Sequence, residues 1–309
     1  MTINQNLENF YNRVQKYGEN LIPIDVCDKY LPPNSHLYVE KNTGVVCSAR
    51  THSEKEILDL WSEKVYKDKS MDTGYSSNHP YAEARLKYVV DTCKKYLTEK
   101  TLPSSICDFA AGTGGAFNAL KHAFKNSYFN ATEGSEENTT RLKTIGYDSV
   151  SHLMLGKTWN EKKLINNRFP VELGFLCWTL CNCINPLDVV THISENIKEG
   201  GYLCVAESSR ILVPAFRKSI RDYLPSQIDP DLHPFHWSFN SLANVLKLSG
   251  FEIVYSNRFI DSDVMLIIGK KKSGYQGEII IDEYKEVIRF FEQWSNMEDI
   301  LFSKYRYGK

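Results

Sequence analysis

Apolar residues recur at helical spacing in two long stretches, residues 80–97 and 282–294, and each is predicted to form an amphipathic helix. Two β-prone runs, at 106–109 and 127–133, lie between them, and a helical stretch beginning near Ala116 separates the two runs. The order strand, helix, strand is typical of a parallel sheet covered by helices. The pattern therefore predicts a doubly wound α/β domain.

The N-terminal part of the sequence has a different character. Apolar residues at helical spacing predict a short helix at 6–17, and prolines then interrupt the pattern between 22 and 47. Two β-prone segments, at 36–39 and 45–48, flank Asn42-Thr43-Gly44, a sequence that favours a hairpin turn. We therefore expect a small module of helix and hairpin ahead of the main domain.

The C-terminal part begins after the basic run at 270–272, which is followed by Ser273-Gly274. The helix predicted there carries an apolar stripe, formed by Tyr284, Val287, Ile288, Phe291 and Trp294. Such a stripe packs either on its own subunit or on a neighbour, so a homodimer through the tail is one alternative. The expected division is an N-terminal module at 1–74, a main domain at 75–272 and a helical tail at 273–309.

Composition narrows the possible functions. The chain has 309 residues with 42% hydrophobic content, enough for one large core, and a net charge of −1 gives no basic surface for nucleic acid. No apolar run is long enough to cross a membrane, and the N-terminus lacks the features of a signal peptide. The eight cysteines fall partly in predicted core strands. These observations predict a cytoplasmic protein with reduced thiols.

The stretch from Ile106 to Gly115 (ICDFAAGTGG) is the most informative in the chain. Its strand ends in a carboxylate and turns through small residues, so the backbone can approach an adenosine-containing ligand. We expect side chains larger than alanine at 110, 112 or 114 to block that approach. The second strand ends in Glu133, whose carboxylate can accept hydrogen bonds from both ribose hydroxyls of a nucleoside.

The glycine pattern alone leaves two other interpretations open. The same residues fit an ordinary turn between a strand and a helix. They also fit a degenerate dinucleotide fingerprint, Ala110-x-Gly112-x-x-Gly115, which would indicate an NAD-dependent oxidoreductase.

Residues 108–114 resemble the first motif of the class I S-adenosylmethionine-dependent methyltransferases, whose usual form is Asp-x-Gly-x-Gly-x-Gly. Glu133 lies where that family has its ribose-binding acid. Further resemblances occur in the family's order along the chain, at 171–186, 197–205, 236–252 and 264–269. The resemblance covers about 75–272 and implies a Rossmann-like sheet of seven strands, S-adenosylmethionine (SAM) as cofactor and methyl transfer as the activity. Ala110 departs from the usual glycine, a change that should still admit a ligand.

The resemblance also implies the residues that bind the cofactor. The first motif would lie along its methionine portion, Glu133 at the ribose, and the two residues after Glu133 beside the adenine. The end of the fourth strand would face the methionine end, and a helical lid would come from upstream, although the sequence favours a solvated charge over a carboxylate clamp for Arg85. The expected cofactor-binding residues are Tyr75, Arg85, Asp108, Ala110, Gly112, Gly114, Glu133, Gly134, Ser135, Cys177 and Trp178.

The catalytic group is less well indicated. Many relatives have a Glu-His pair in the loop after the fourth strand, where this chain has Cys181 and Asn182. The long insertion after the fifth strand contains His233 and His236, and imidazole titrates near neutrality, so these are the candidate acid/base residues. Capping of the next helix by His236 and a surface position for His233 are equally compatible with the sequence. The three cysteines at 177, 181 and 183 could be soft metal ligands, but no second cluster accompanies them, so no metal is expected.

The acceptor is suggested only by the N-terminal module, which resembles the one in some bacterial sugar-modifying methyltransferases. Those relatives bind zinc through paired cysteines. Here only Cys27 and Cys47 are present and we expect no metal. The leading hypothesis is methyl transfer to a small polar acceptor such as a sugar, a sugar nucleotide or a cell-surface glycan precursor. The alternatives are an NAD-dependent oxidoreductase and a catalytically inactive scaffold that binds the cofactor.

Overall fold

The structure is a computed structural model of the chain. It describes residues 4, 5, 7, 20–33, 35–48, 53–61, 80–97, 102–155, 169–208, 211–213, 219–221, 224, 233–257 and 264–302. The helix predicted at 6–17 lies almost entirely outside the described residues.

A sheet of seven strands forms the centre of the fold. Its strands are β4 (Ser105–Phe109), β5 (Tyr128–Glu133), β6 (Ser149–His152), β7 (Val171–Cys177), β8 (Ile197–Glu207), β10 (Phe251–Ser256) and β11 (Met265–Lys271). The helices before and between these strands are α2 (Pro80–Tyr96), α3 (Phe117–Ala123), α4 (Glu136–Ile145), α5 (Pro186–Glu195) and α6 (Phe239–Leu248). The strand order is β6-β5-β4-β7-β8-β11-β10. The first five strands in this order are parallel, and β11 is antiparallel to both of its neighbours. The predicted doubly wound α/β sheet is confirmed.

Helices cover both faces of this sheet because its strands are apolar on both sides. In β8, Leu203 and Val205 face one buried cluster with residues of α5 and α6, and Cys204 and Ala206 face the other with residues of α2, α3 and α4. Strand β4 is buried along its whole length. The chain from β4 to β5 turns to one side and the later β7 lies on the other side, so the strand order reverses next to β4. In open α/β sheets this reversal forms the crevice at the carboxyl ends of the strands.

The N-terminal module forms a second, antiparallel sheet. Strands β2 (Leu37–Glu40) and β3 (Val46–Ser48) form the hairpin that the sequence predicts, and β1 (Leu21–Pro23) pairs with β2. The fourth strand, β9 (Phe235–His236), comes from the insertion after β8 and pairs with β3. A 3₁₀ turn (Asp25–Tyr30) and helix α1 (Glu54–Trp61) complete the described part of this module. The pairing of β9 with the hairpin is not indicated by the sequence pattern.

The C-terminal helix α7 (Tyr284–Met297) packs on its own subunit, and a short π-helix (Glu298–Phe302) follows it. Its buried residues join the N-terminal module and the insertion in one apolar cluster, which we call the peripheral core. The peripheral core consists of Ile24, Cys27, Tyr30, Leu37, Val39, Val46, Ile211, Ile220, Leu224, Val287, Phe291 and Trp294. The stripe on α7 therefore packs within the subunit, and a homodimer through the tail stays a prediction.

Polar contacts fix the tail at both ends of this helix. Before the helix, the Asp282 carboxylate accepts hydrogen bonds from Ser238 Oγ and from Asn240 Nδ2, the latter at 2.7 Å. After it, Glu298 Oε2 accepts from the backbone N–H of Ile220 at 3.0 Å. The segment 278–281 is irregular, and the Asn244 side chain bonds both backbone groups of its Ile280. The division at 74 and 272 stays a prediction, and the peripheral core joins the parts on either side of it.

None of the helices in the described ranges is both long and apolar enough to pass through a bilayer.

Replacement of Phe291 by alanine should lower the free energy of unfolding by about 3–5 kcal/mol, because its fully buried ring fills the peripheral core. Urea unfolding followed by circular dichroism measures this loss, and it should be the same at low and high protein concentration. Ile280→Ala, at a side chain that is 46% exposed, is the control and should change little. A loss that grows on dilution would instead indicate that the helix is part of a contact between subunits.

Candidate functional site

The turn after β4 is held against the end of β5. Ala110 donates its backbone N–H to Thr132 Oγ1 at 3.1 Å, and Ala111 donates to the Thr132 carbonyl at 2.9 Å. Ala110 and Gly112 both have left-handed backbone conformations, with φ of 52° and 56°. For alanine this costs of order 1 kcal/mol or more, so the surrounding contacts must fix the turn.

Gly114 has a different role from the one expected. It is buried with φ of 83°, and a Cβ there would lie 2.7 Å from Ile145 Cδ1 and 2.9 Å from Leu142 Cδ2. The small residue at this position therefore lets the last turn of α4 pack against the turn. A side chain at 114 would point into the core, which corrects the expectation that it would block a ligand. A contribution of the Gly114 backbone to ligand binding stays a prediction.

Glu133 lies at the end of β5 and joins the two strand ends. Its Oε2 accepts the backbone N–H of Gly112 at 2.8 Å, and its Oε1 accepts that of Ser135 at 2.9 Å. Burial raises the pKa of this carboxyl group, and the backbone donors Ser135, Gly112 and Gly134 oppose that rise. With these donors bound, the carboxylate still has capacity to accept a hydroxyl donor. The structure thus brings together four residues predicted from separate segments: Gly112, Glu133, Gly134 and Ser135.

The end of β6 borders the same position. His152 Nε2 donates to the Gly134 carbonyl at 2.9 Å, and Leu153 donates its N–H to the Glu133 carbonyl at 2.8 Å. The segment 152–154 therefore lies next to the turn that contains Gly134 and Ser135.

Asp108 lies beneath the turn rather than at its surface. Only 4% of the residue is exposed, and its Oδ2 accepts the hydroxyl of Tyr147 at 2.6 Å. Burial raises the pKa of Asp108 to about 7 against the opposing effect of the Tyr147 hydrogen bond, and the nearby Glu133 charge adds to the rise. Its position suits support of the turn from below, and a direct contact with a ligand stays a prediction. Tyr147, which sequence reasoning missed, lies 39 residues away and carries no local signal.

Trp178 follows β7 in a left-handed conformation, with φ of 54°, and donates its N–H to the Ala206 carbonyl at 2.7 Å. The guanidinium carbon of Arg85 lies 4.2 Å from the centre of its indole ring, and Arg85 Nη2 donates to Ser208 Oγ. Arg85 on α2 therefore lies across the carboxyl ends of β7 and β8 and is not the solvated charge of the alternative interpretation. Trp178 Nε1 is buried and has no hydrogen-bond partner among the described residues.

The remaining residues expected at the methionine end are described less fully. Burial raises the pKa of the Cys177 thiol well above its usual value. Tyr75 lies outside the described residues.

Glu207, the last residue of β8, is a buried carboxyl group that the sequence motifs did not single out. It is 1% exposed, and its Oε1 accepts the N–H of Leu180 at 2.8 Å. Burial raises its pKa to about 7, while hydrogen bonds from the Cys181 side chain and the backbone at Leu180, Cys181 and Thr179 oppose the rise. The signal that could have found it is an acid at the end of a predicted strand, as at Asp108 and Glu133.

The two candidate acid/base histidines are buried in and beside β9. His236 pairs directly with Val46, so its side chain is on the face of the second sheet that contributes Val46 to the peripheral core. Burial, with a smaller effect of His233, keeps the pKa of His236 well below its usual value. The carbonyl of His233 accepts from Ser48 Oγ at 3.3 Å. His236 is therefore neutral at neutral pH, and the role of either residue as a base stays a prediction.

Replacement of Asp108 by asparagine should change how stability depends on pH. The folded protein holds a proton on Asp108 up to about pH 7, whereas the unfolded chain releases it near pH 3.8, so this residue makes stability fall as the pH rises through that window. Asparagine can still accept the Tyr147 hydroxyl and does not titrate. The stability of wild type relative to Asp108→Asn should therefore fall as the pH is raised from about 5 to about 7.5.

Urea unfolding at the two pH values measures this difference, since other titrating groups cancel in the comparison. Asp91→Asn, at an exposed position on α2, is the control. A constant difference between wild type and Asp108→Asn would show that Asp108 loses its proton at the ordinary pH.

Comparison of the sequence with protein-family models and with curated proteins found no match. Solved structures do match the fold. The plantazolicin methyltransferase BpumL was solved in complex with S-adenosylhomocysteine (SAH). It is similar to this chain with a TM-score of 0.52 and 10% identity over 71% of this chain and 96% of that chain. The mitomycin 7-O-methyltransferase MmcR gives a TM-score of 0.50 and 13% identity over 70% of this chain and 60% of that one.

An O-methyltransferase family protein from Burkholderia thailandensis matches with a TM-score of 0.44 and 13% identity, over 63% of this chain and 59% of its own length. The chain thus spans about three fifths of the length of that protein and of MmcR. The strand order β6-β5-β4-β7-β8-β11-β10 and the likeness to BpumL together show that this chain has the fold of the class I SAM-dependent methyltransferases.

Proposed function

We propose that the crevice at the carboxyl ends of β4, β5 and β7 binds SAM and that the protein transfers its methyl group to a small polar acceptor. One observation carries this proposal above the others. Glu133 is held by the N–H groups of Gly112 and Ser135 at the reversal of strand order, and its carboxylate keeps capacity to accept a hydroxyl group. BpumL was solved with bound SAH, the product that SAM leaves after methyl transfer, which supports the same ligand here.

The described contacts suggest how the crevice would hold the donor. Glu133 would accept the ribose hydroxyls, and the adjacent turn with Gly134 would lie beside the adenine. The backbone of the turn after β4 would follow the methionine portion. Arg85, stacked on Trp178, brings a positive charge to the ends of β7 and β8, where the donor's carboxylate would lie.

Methyl transfer needs position more than covalent help from the protein. SAM supplies a methyl carbon that its sulfonium already activates, and displacement leaves a thioether. The protein would align the acceptor with that carbon and exclude water, which accounts for much of the rate in such reactions. An acceptor of low acidity also needs a base for its proton, and His233 and His236 are the proposed candidates.

A sugar, sugar nucleotide or glycan precursor is the proposed acceptor class. The support is the resemblance of the N-terminal module to that of sugar-modifying methyltransferases. The module's sheet also contains β9, so its hairpin contributes to the wall that carries both histidines. Turnover with a radiolabelled methyl donor against a panel of nucleotide sugars, phenols and peptides tests the class. Turnover of a phenol or peptide alone would overturn the sugar proposal, and binding of SAM without turnover of any acceptor would favour an inactive scaffold.

We also propose a reducing, cytoplasmic location. All eight cysteines lie in the described ranges, and each is a thiol rather than half of a disulfide.

Glu133→Ala should weaken SAM binding by about 1–3 kcal/mol, because the ribose hydroxyls would lose their charged acceptor. Isothermal titration calorimetry with SAM and with NAD measures this effect and separates the two cofactor hypotheses. Glu137→Ala, at an exposed acid on α4, is the matched control. An unchanged affinity in Glu133→Ala would place the ribose elsewhere, and tight binding of NAD in place of SAM would reject the proposed function.

His233→Ala or His236→Ala should lower kcat for the acceptor found in the panel and leave the Kd for SAM unchanged. The expected loss is about 10²–10⁴-fold if the residue removes the acceptor proton in the transition state. Because both residues are buried, thermal melting must first show that each variant is folded. Wild-type turnover in both folded variants would remove them as bases.

A further inference from the structure

We infer that Glu207 is a positioning residue for the methyl-donor crevice, since its carboxyl group fixes the segment 178–182 at the carboxyl end of β7. The inference rests on the proposed function for its consequence in ligand binding. The conformational part stands on contacts in the described structure alone.

Strands β7 and β8 pair in parallel up to Cys177 and Ala206; β7 ends there, and β8 ends one residue later, at Glu207. Beyond that point the segment 178–182 leaves the sheet, yet several of its N–H groups still bond to β8. Trp178 donates to the Ala206 carbonyl at 2.7 Å, and Leu180 donates to Glu207 Oε1 at 2.8 Å. The side chain of Glu207 therefore binds the segment to β8 beyond the point where the backbone hydrogen bonds between the two strands end.

The segment needs such a hold because it is strained. Trp178 has a left-handed backbone that a large side chain rarely adopts, and such conformations persist only where the surroundings fix them. The Asn182 side chain donates to the Trp178 carbonyl at 3.3 Å and closes the turn. The guanidinium of Arg85 stacks on the indole ring of Trp178. The fixed conformation keeps Trp178 and Arg85 together at the edge where the donor's amino-acid end is proposed to lie.

The opposite side of the segment packs on β9. The 3₁₀ turn Leu180–Asn182 contacts β9, and Leu180 shares a buried cluster with Phe235 and Trp237. This contact is apolar and supplies no acceptor for the N–H of Leu180. The turn is thus held between an apolar wall on β9 and the carboxylate of Glu207, which is 1% exposed and faces the thiol of Cys181. Loss of the carboxylate would leave a buried N–H without its partner, and the segment would open more readily.

The first experiment measures the segment without any ligand. Hydrogen–deuterium exchange of peptides covering 176–184 is compared in wild type, Glu207→Gln and Glu207→Met. Glutamine keeps an acceptor oxygen, whereas methionine fills the same space without one. The segment should exchange about tenfold faster in Glu207→Met, while Glu207→Gln stays within about threefold of wild type, since the loss of one buried hydrogen bond corresponds to roughly this factor.

Glu172→Ala is the matched control for this measurement. Its carboxylate accepts the N–H of Ser104 at 2.6 Å near the start of β7, at the amino ends of the strands of the same sheet. It should leave exchange at 176–184 unchanged. Should Glu207→Met fail to fold, Glu207→Ser replaces it, because serine is too short to reach Leu180. Equal exchange at 176–184 in wild type and in the folded variant without an acceptor overturns the inference.

The second experiment measures binding by calorimetry with S-adenosylhomocysteine and with 5′-methylthioadenosine, which lacks the amino-acid end. Glu207→Met should raise the Kd for S-adenosylhomocysteine about tenfold and the Kd for 5′-methylthioadenosine less than about twofold, with Glu207→Gln close to wild type. An equal effect on both ligands overturns the positioning role, since it would indicate a general loss of structure. If wild type binds neither ligand, the proposed function fails, and the exchange experiment still decides whether Glu207 fixes the segment.

Discussion

Buried carboxylates that accept backbone N–H groups hold the carboxyl ends of this sheet together. Where a parallel strand ends, the next residues lose their ladder partners, and their N–H groups must find other acceptors. Glu133 satisfies Gly112 and Ser135, and Glu207 satisfies Leu180. Each acid thereby fixes a turn that has no regular structure of its own. The turns after β4, β5 and β7 thus each have at least one N–H group bonded to a buried acid of the sheet.

The peripheral core extends this dependence beyond the central sheet. Segments from both ends of the chain and from the insertion after β8 share it, for example Val46, Ile220 and Phe291. Because β9 pairs with the hairpin on one edge and packs against the turn 180–182 on its own apolar face, the N-terminal module supports the loop at the end of β7. The module therefore supports, through β9, a loop that borders the proposed crevice, without contributing a residue of the first motif.

Local signals in the sequence predicted what depends on neighbouring residues. The hairpin across Asn42-Thr43-Gly44 and the acid at Glu133 follow from turn chemistry and strand ends, and the resemblance supplied the seven-stranded sheet. The signals failed for contacts between distant segments: the pairing of β9 with β3, the hydroxyl of Tyr147 on Asp108, and the packing of α4 that requires Gly114 to be small. Each of these depends on where other elements pack, and no pattern near the residue records it.

Features that cost folding energy are found at the carboxyl ends of the parallel strands. Ala110 and Trp178 hold left-handed conformations there, and burial raises the pKa of both Asp108 and Glu207 to about 7. Near the amino ends of these strands, the residue of β8 with a left-handed backbone is Gly200, and glycine adopts that conformation without strain. Strained backbone and desolvated acids persist where they serve a ligand, because a sequence selected for stability alone would replace them. Two of the three described non-glycine residues with positive φ, and both of these acids, thus lie where the donor crevice is proposed, which supports that proposal apart from the glycine motif; the third such residue, Leu212, lies in the insertion.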